Sequence, residues 1–96
     1  MNIFGDMKRF YIKVFGIVQG VGFRFFTMRK AQKHNIVGYV RNLADGSVEI
    51  DARGKPDDLE KFLMDIKKGP PVGKISKIEV SSLEPDDEYR DFEIKF

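Results

Sequence analysis

The sequence predicts an α+β fold of order β-α-β-β-α-β with an additional short edge strand, its two helices on one face of a mainly antiparallel sheet. Three observations carry that prediction. Apolar and polar residues alternate over 8–15 and again over 47–53, the period of a strand. Leu59, Phe62, Leu63 and Ile66 fall at i, i+3, i+4 and i+7, the spacing of one helix face. Ala44-Asp45-Gly46 separates two strand-like runs by a hairpin-length turn, with Gly46 able to supply positive φ.

The first strand sets Phe10, Ile12 and Val14 against Tyr11, Lys13 and Phe15. From Phe23 to about His34 the period lengthens. Phe23, Phe26, Thr27, Ala31 and His34 share one stripe, and Arg29, Gln32 and Lys33 lie away from it. Asn35 suits a left-handed helix stop. A second strand spans 36–43 and a third 47–53, the latter setting Val48, Ile50 and Ala52 against Glu49, Asp51 and Arg53. Arg41 and Arg53 read as solvated strand charges, with anion steering as the alternative for Arg41. Pro56, Asp57 and Asp58 open the second helix, Lys67 and Lys68 close it, and Gly69-Pro70-Pro71 stops it. A fourth strand at about 74–82 and an acidic loop from Glu84 to Glu88 lead to a last strand carrying Phe92, Ile94 and Phe96. The arrangement is ferredoxin-like, an α/β sandwich.

Size and composition bound the rest. At 96 residues the chain reads as one domain, with a core from about residue 8 to 96 and a short extension over 1–7. A hydrophobic fraction of 42% and nine phenylalanines argue for a packed globule. The absence of cysteine excludes disulfides and thiolate metal sites, and one histidine leaves little for zinc or a His-based triad. Neither a metal nor a cofactor is expected. Seventeen basic against fifteen acidic residues, mixed along the chain, give neither a nucleic-acid nor a membrane footprint. No apolar run approaches the ~20 residues of a membrane span, and the start lacks the apolar region of a signal peptide. A cytoplasmic monomer is expected.

The most informative stretch is Gly16-Ile17-Val18-Gln19-Gly20-Val21-Gly22-Phe23-Arg24. Its glycines let backbone N–H groups converge without side-chain obstruction. The helix that follows adds unpaired donors and a positive dipole end, so the place is an anion cradle. Arg24 brings a permanent charge on a planar fork. A helix between the first two strands makes them parallel, so their C-terminal ends share one sheet edge. Asn42 ends the second strand and has the parity of Val40, which tilts it toward the helix N-terminus. Arg24 and Asn42 are expected to converge on one pocket.

Gly16 to Arg24 closely resembles the first signature of the acylphosphatases. Gly38-Tyr39-Val40-Arg41-Asn42, followed by Gly46, Val48 and Gly54, resembles their second in identity and spacing. The likeness continues through Lys68-Gly69-Pro70-Pro71 to Phe92-Glu93-Ile94. It implies hydrolysis of carboxyl phosphates to carboxylate and inorganic phosphate without metal or cofactor. The family's catalytic arginine carries over to Arg24 and its catalytic asparagine to Asn42. Its phosphate-binding backbone carries over to Gln19, Gly20, Val21, Gly22, Phe23 and Arg24. This chain departs where relatives often have Leu and Gly at His34 and Asn35, positions of packing and capping. It also has Leu43 where some relatives carry threonine, which removes a side-chain role there.

Such chemistry needs few groups. The expelled carboxylate has a conjugate acid with a pKa of about 4 and leaves without a proton. Phosphoryl transfer then rests on positioning and charge stabilisation. The Asn42 amide can accept from a water and aim its oxygen at phosphorus, and the substrate's own phosphoryl oxygen can take the proton, as proposed for the family. The alternative is a non-catalytic ferredoxin-like module binding a small ligand or RNA, since Gly22-Phe23-Arg24-Phe25-Phe26 faintly resembles an RNA-recognition motif. That motif belongs on a strand, and here the segment opens a helix. The glycine spacing matches neither G-x-G-x-x-G nor a P-loop.

Overall fold

The computed structural model describes residues 7–86 and 89–96. In chain order they form β1 (Lys8–Ile17), α1 (Phe23–Lys33), β2 (Val37–Asn42), β3 (Val48–Gly54), α2 (Pro56–Lys68), β4 (Lys74–Leu83) and β5 (Phe92–Lys95). Residues 1–6 of the extension, and Asp87 and Glu88 of the acidic loop, lie outside the described residues.

One five-stranded sheet has the order β4-β1-β3-β2-β5. β3 pairs antiparallel with both β1 and β2, so those two run parallel to each other with β3 between them. β4 lies antiparallel on β1, and β5, whose direction the sequence pattern leaves open, lies parallel to β2. This is the expected ferredoxin-like fold. β1 runs two residues beyond the alternating stretch because β4 follows it past a bulge at Phe15/Gly16. The approach there is close: a Cβ on Gly16 would sit 2.1 Å from the Lys74 carbonyl oxygen, so only glycine fits.

The core lies between sheet and helices. Ile12, Val14, Val40, Val48, Ile50 and Ala52 meet Phe23 and Phe26 of α1 and Leu59, Phe62 and Ile66 of α2. Each large side chain buried this way contributes about 1.5–3 kcal/mol. α1 stops as expected. Asn35 takes φ 58°, and its N–H and that of Ile36 close back on the carbonyls of Gln32 and Ala31 at 3.4 and 2.8 Å, the paired bonds of a Schellman stop. The residue before it, His34, joins the helices through a 2.7 Å bond from its Nε2 to Asp65 Oδ2.

Arg53 is not solvated. It is 1% exposed, and Glu49 and Asp51 are buried beside it. Alternation places these three on the helix-free face, and they do lie opposite the core residues of β3. But β3 is the central strand, and Asp86 and Tyr89 lie against that face. The Arg53 guanidinium lies 3.0 Å from Asp86, 3.4 Å from Asp51 and 4.5 Å from the Tyr89 ring centre. Arg9 grips Asp51 with two bonds of 3.1 and 2.8 Å. Charges withdrawn from water are kept only when paired in this way. Arg41 is exposed, as expected, and holds Glu49 at 2.7 Å. The Tyr11 hydroxyl also donates to Glu49, and burial together with that bond pushes the Tyr11 phenol up to about 12.

Candidate active site

The segment between β1 and α1 turns on glycine conformation. Gly20 and Gly22 have φ of 75° and 79°, and a Cβ on either would meet nothing within 4 Å. Space is available, so left-handed backbone is what requires glycine here, and an L side chain would cost about 1–2 kcal/mol. Gly22 is the N-cap of α1, and the Phe26 N–H closes onto its carbonyl at 3.0 Å. No side chain caps this helix start, and its first turn holds no acidic residue. Its leading N–H groups and its positive dipole end therefore remain available to an anion.

Gln19 ties this loop to the β2–β3 turn. Its Nε2 donates to the carbonyls of Leu43 at 2.7 Å and Ser47 at 2.8 Å. The turn is itself closed by Leu43 N–H to Ser47 O at 2.9 Å and Gly46 N–H to Leu43 O at 3.2 Å. Asp45 accepts from both the Ser47 hydroxyl and the Ser47 N–H. Those bonds, with Lys13 nearby, hold the Asp45 carboxyl down at about 2. Anion loop and turn are thus one braced unit.

Asn42, the last residue of β2, adjoins Leu43 within that unit. Its Oδ1 is enclosed and has no hydrogen-bond partner among the described residues. A buried acceptor normally finds a donor, and at this one a water can donate. Arg24, in the first turn of α1, donates from Nη1 to the Lys95 carbonyl at 3.3 Å, and its guanidinium lies 4.5 Å from the Phe96 ring centre. Lys95 pairs in register with Arg41, one residue before Asn42. The structure therefore brings the Gln19–Arg24 loop, Arg24 and Asn42 to the same end of the sheet.

Two contacts escape sequence reasoning. The Gln19 side chain acts as a brace, although only its backbone stands out in the loop. Lys95 and Phe96 hold Arg24, although they read simply as the end of a strand. Local spacing carries no signal for partners so distant along the chain. The aromatic segment after Gly22 opens a helix in which Phe23 and Phe26 are buried, 5.7 Å apart, and so offers no strand-borne stacking platform. Among the described residues no group of three or more His, Cys, Asp or Glu could hold a metal ion, and no helix is long and apolar enough to cross a membrane.

Comparison with known proteins gives a consistent picture. A family model described as acylphosphatase matches residues 10–94. The acylphosphatase of Thermotoga maritima is 47% identical over 90 residues, spanning 94% of this chain and 99% of that one. The crystal structure of acylphosphatase from Bacillus subtilis superposes with a TM-score of 0.89 at 37% identity, covering 93% of this chain and 99% of that one. The chain is also 45% identical over 92 residues to the probable carbamoyltransferase HypF of Methanocaldococcus jannaschii, covering 95% of this chain but 12% of that protein.

Proposed function

We propose, from the premise that this chain belongs to the acylphosphatase family and is an acylphosphatase, that its reaction is run by Arg24, Asn42 and the backbone of Gln19–Arg24. The phosphoryl oxygens of an acyl phosphate accept hydrogen bonds from the loop N–H groups and from the Arg24 fork. These donors are fixed before charge spreads over the transferring group, so they cost no reorganisation when it does. Asn42 Oδ1 accepts from a water and turns its lone pair toward phosphorus. As the water oxygen bonds to phosphorus, the P–O bond to the acyl group breaks and the carboxylate leaves unprotonated. The water's proton passes to a phosphoryl oxygen, giving inorganic phosphate. The reading takes residues 1–96 as one cytoplasmic, monomeric domain, its core about 8–96, that needs no cofactor and is competitively inhibited by its product, phosphate.

The observation that carries the assignment is the enclosed Oδ1 of Asn42, without a partner among the described residues, at the same sheet end as a helix start that no side chain caps and no acid neutralises. The test is Asn42→Ala. It should lower kcat on acetyl phosphate by at least about 100-fold, the scale of losing a positioned reactant. Phosphate affinity by calorimetry should stay within about threefold, and the melting temperature should change little, because the partly exposed Asn42 can trade its partners for water. Collapse of phosphate binding in a folded variant would make Asn42 an anion ligand and overturn the division of roles.

A further inference from the structure

A cavity of about 260 Å³ opens beside the loop between β1 and α1. Its accessible apolar part is Ile17 and Ile75, backed by the buried Val18 and Phe23, and its charged part is Lys67, Lys68 and Lys74. No carboxylate lines it, and among the described residues none of the three lysines is held in an ion pair. The link from α2 to β4 builds the wall and is seated on the loop itself. A Cβ on Gly73 would lie 2.7 Å from the Ile17 carbonyl oxygen and 3.0 Å from a methyl of Val21. The position fits in-line displacement, in which attacking and leaving oxygens lie on opposite sides of phosphorus. Asn42 stands on β2, whereas the cavity lies beyond β3, at the ends of β1 and β4. If the water is delivered from the Asn42 side, as proposed above, the leaving group departs toward the lysines.

We infer that this cavity is the acyl subsite, and that it favours acyl phosphates whose acyl chain carries a second negative charge, a carboxylate or phosphate, at its far end. The inference rests on the proposed placement of the water at Asn42. Ile17 and Ile75 would receive the carbon chain, and the lysines would receive the terminal anion. Exposed charges act through water, so the preference is moderate and falls with added salt.

The experiment compares hexanoyl phosphate with adipoyl monophosphate, which has the same chain length and ends in a carboxylate. The parent protein should give the higher kcat/KM with adipoyl monophosphate at low ionic strength. Replacing Lys67, Lys68 and Lys74 together by Ala should lower the adipoyl-to-hexanoyl ratio of kcat/KM roughly tenfold, mainly through KM, as expected for three exposed pairings. A variant with Lys55→Ala at the N-cap and Lys61→Ala in the first half of α2, away from the cavity lining, should leave the ratio in place. A ratio that does not move in the triple variant, or that moves equally in the distant one, overturns the subsite while leaving the acylphosphatase mechanism intact. If Asn42→Ala turns over both compounds like the parent, the mechanism falls and takes the direction of the leaving group with it.

Discussion

α2 begins with Pro56 at its first position and Asp57 and Asp58 in its first turn, whereas α1 begins on left-handed Gly22 with no side-chain cap and no acid in its first turn. Both helices bury apolar faces on the same sheet, so packing does not explain the difference. α2 answers its own dipole with carboxylates and fills its first position with a residue that has no N–H to satisfy. α1 leaves its donors unmet and sets a cation, Arg24, among them. A helix end arranged against its own stability is understandable when an outside anion completes it. The contrast separates residues selected for the fold from residues reserved for the ligand.

The contrast can be tested by exchanging features between the two helix starts. The largest effect is expected at Arg24. Arg24→Ala should cut kcat/KM on acetyl phosphate by about 1,000-fold or more, the range seen when a transition-state arginine is lost, and should also weaken inhibition by phosphate. Arg24→Lys should remain badly impaired because a point charge does not reproduce the fork; steady-state kinetics that returned near-normal activity would remove Arg24 from the mechanism. Next comes Phe25→Glu, which gives α1 the acid it lacks at an exposed position. It should stabilise the helix by about 0.3–1 kcal/mol yet weaken phosphate binding, roughly tenfold at low salt. Thermal melting and calorimetry should therefore move in opposite directions. Asp57→Asn with Asp58→Asn should do the reverse, losing about 0.3–1 kcal/mol per site with kcat unchanged.

The smallest effect concerns the ends where the helices are alike. His34 and Asp65 join them, and chiefly that bond holds the Asp65 carboxyl below its ordinary 3.8. A depressed carboxylate contributes stability that is complete above its unfolded value and lost as pH falls through the folded one. Melting temperature should drop as pH is lowered below about 4. The drop should be shallower in Asp65→Asn, and an identical pH profile would show that the pair contributes nothing.

How much of this was legible in the sequence varied with the reach of the contacts. α2, the turn at Gly46 and the stop at Asn35 depend on neighbours a few residues away, and their patterns are local. Arg24 and Asn42 were placed at one edge by topology alone, because a helical crossover fixes the direction of the strands it joins. The error at Arg53 has a physical origin. Period-two alternation separates the two faces of a strand but does not say whether the second face is wet, and Tyr89 and Asp86 cover it from the far end of the chain. The braces on the site were hidden for the same reason. Arg24 meets Lys95 across 71 residues, and no short-range pattern encodes that distance.

The Gln19 brace also has a consequence in time. Its amide holds carbonyls 24 and 28 residues further along the chain, so the loop cannot be fixed in its final shape until the β2–β3 hairpin has formed and docked. Closing a segment of that length is entropically costly and slow compared with winding a helix. The proposed anion site is thus a late product of folding, and on that reading a chain with its helices formed but its hairpin undocked would bind no phosphate. During refolding, recovery of activity should follow closure of the sheet rather than the rise of helical signal, so turnover itself reports that the long-range part of the fold is complete.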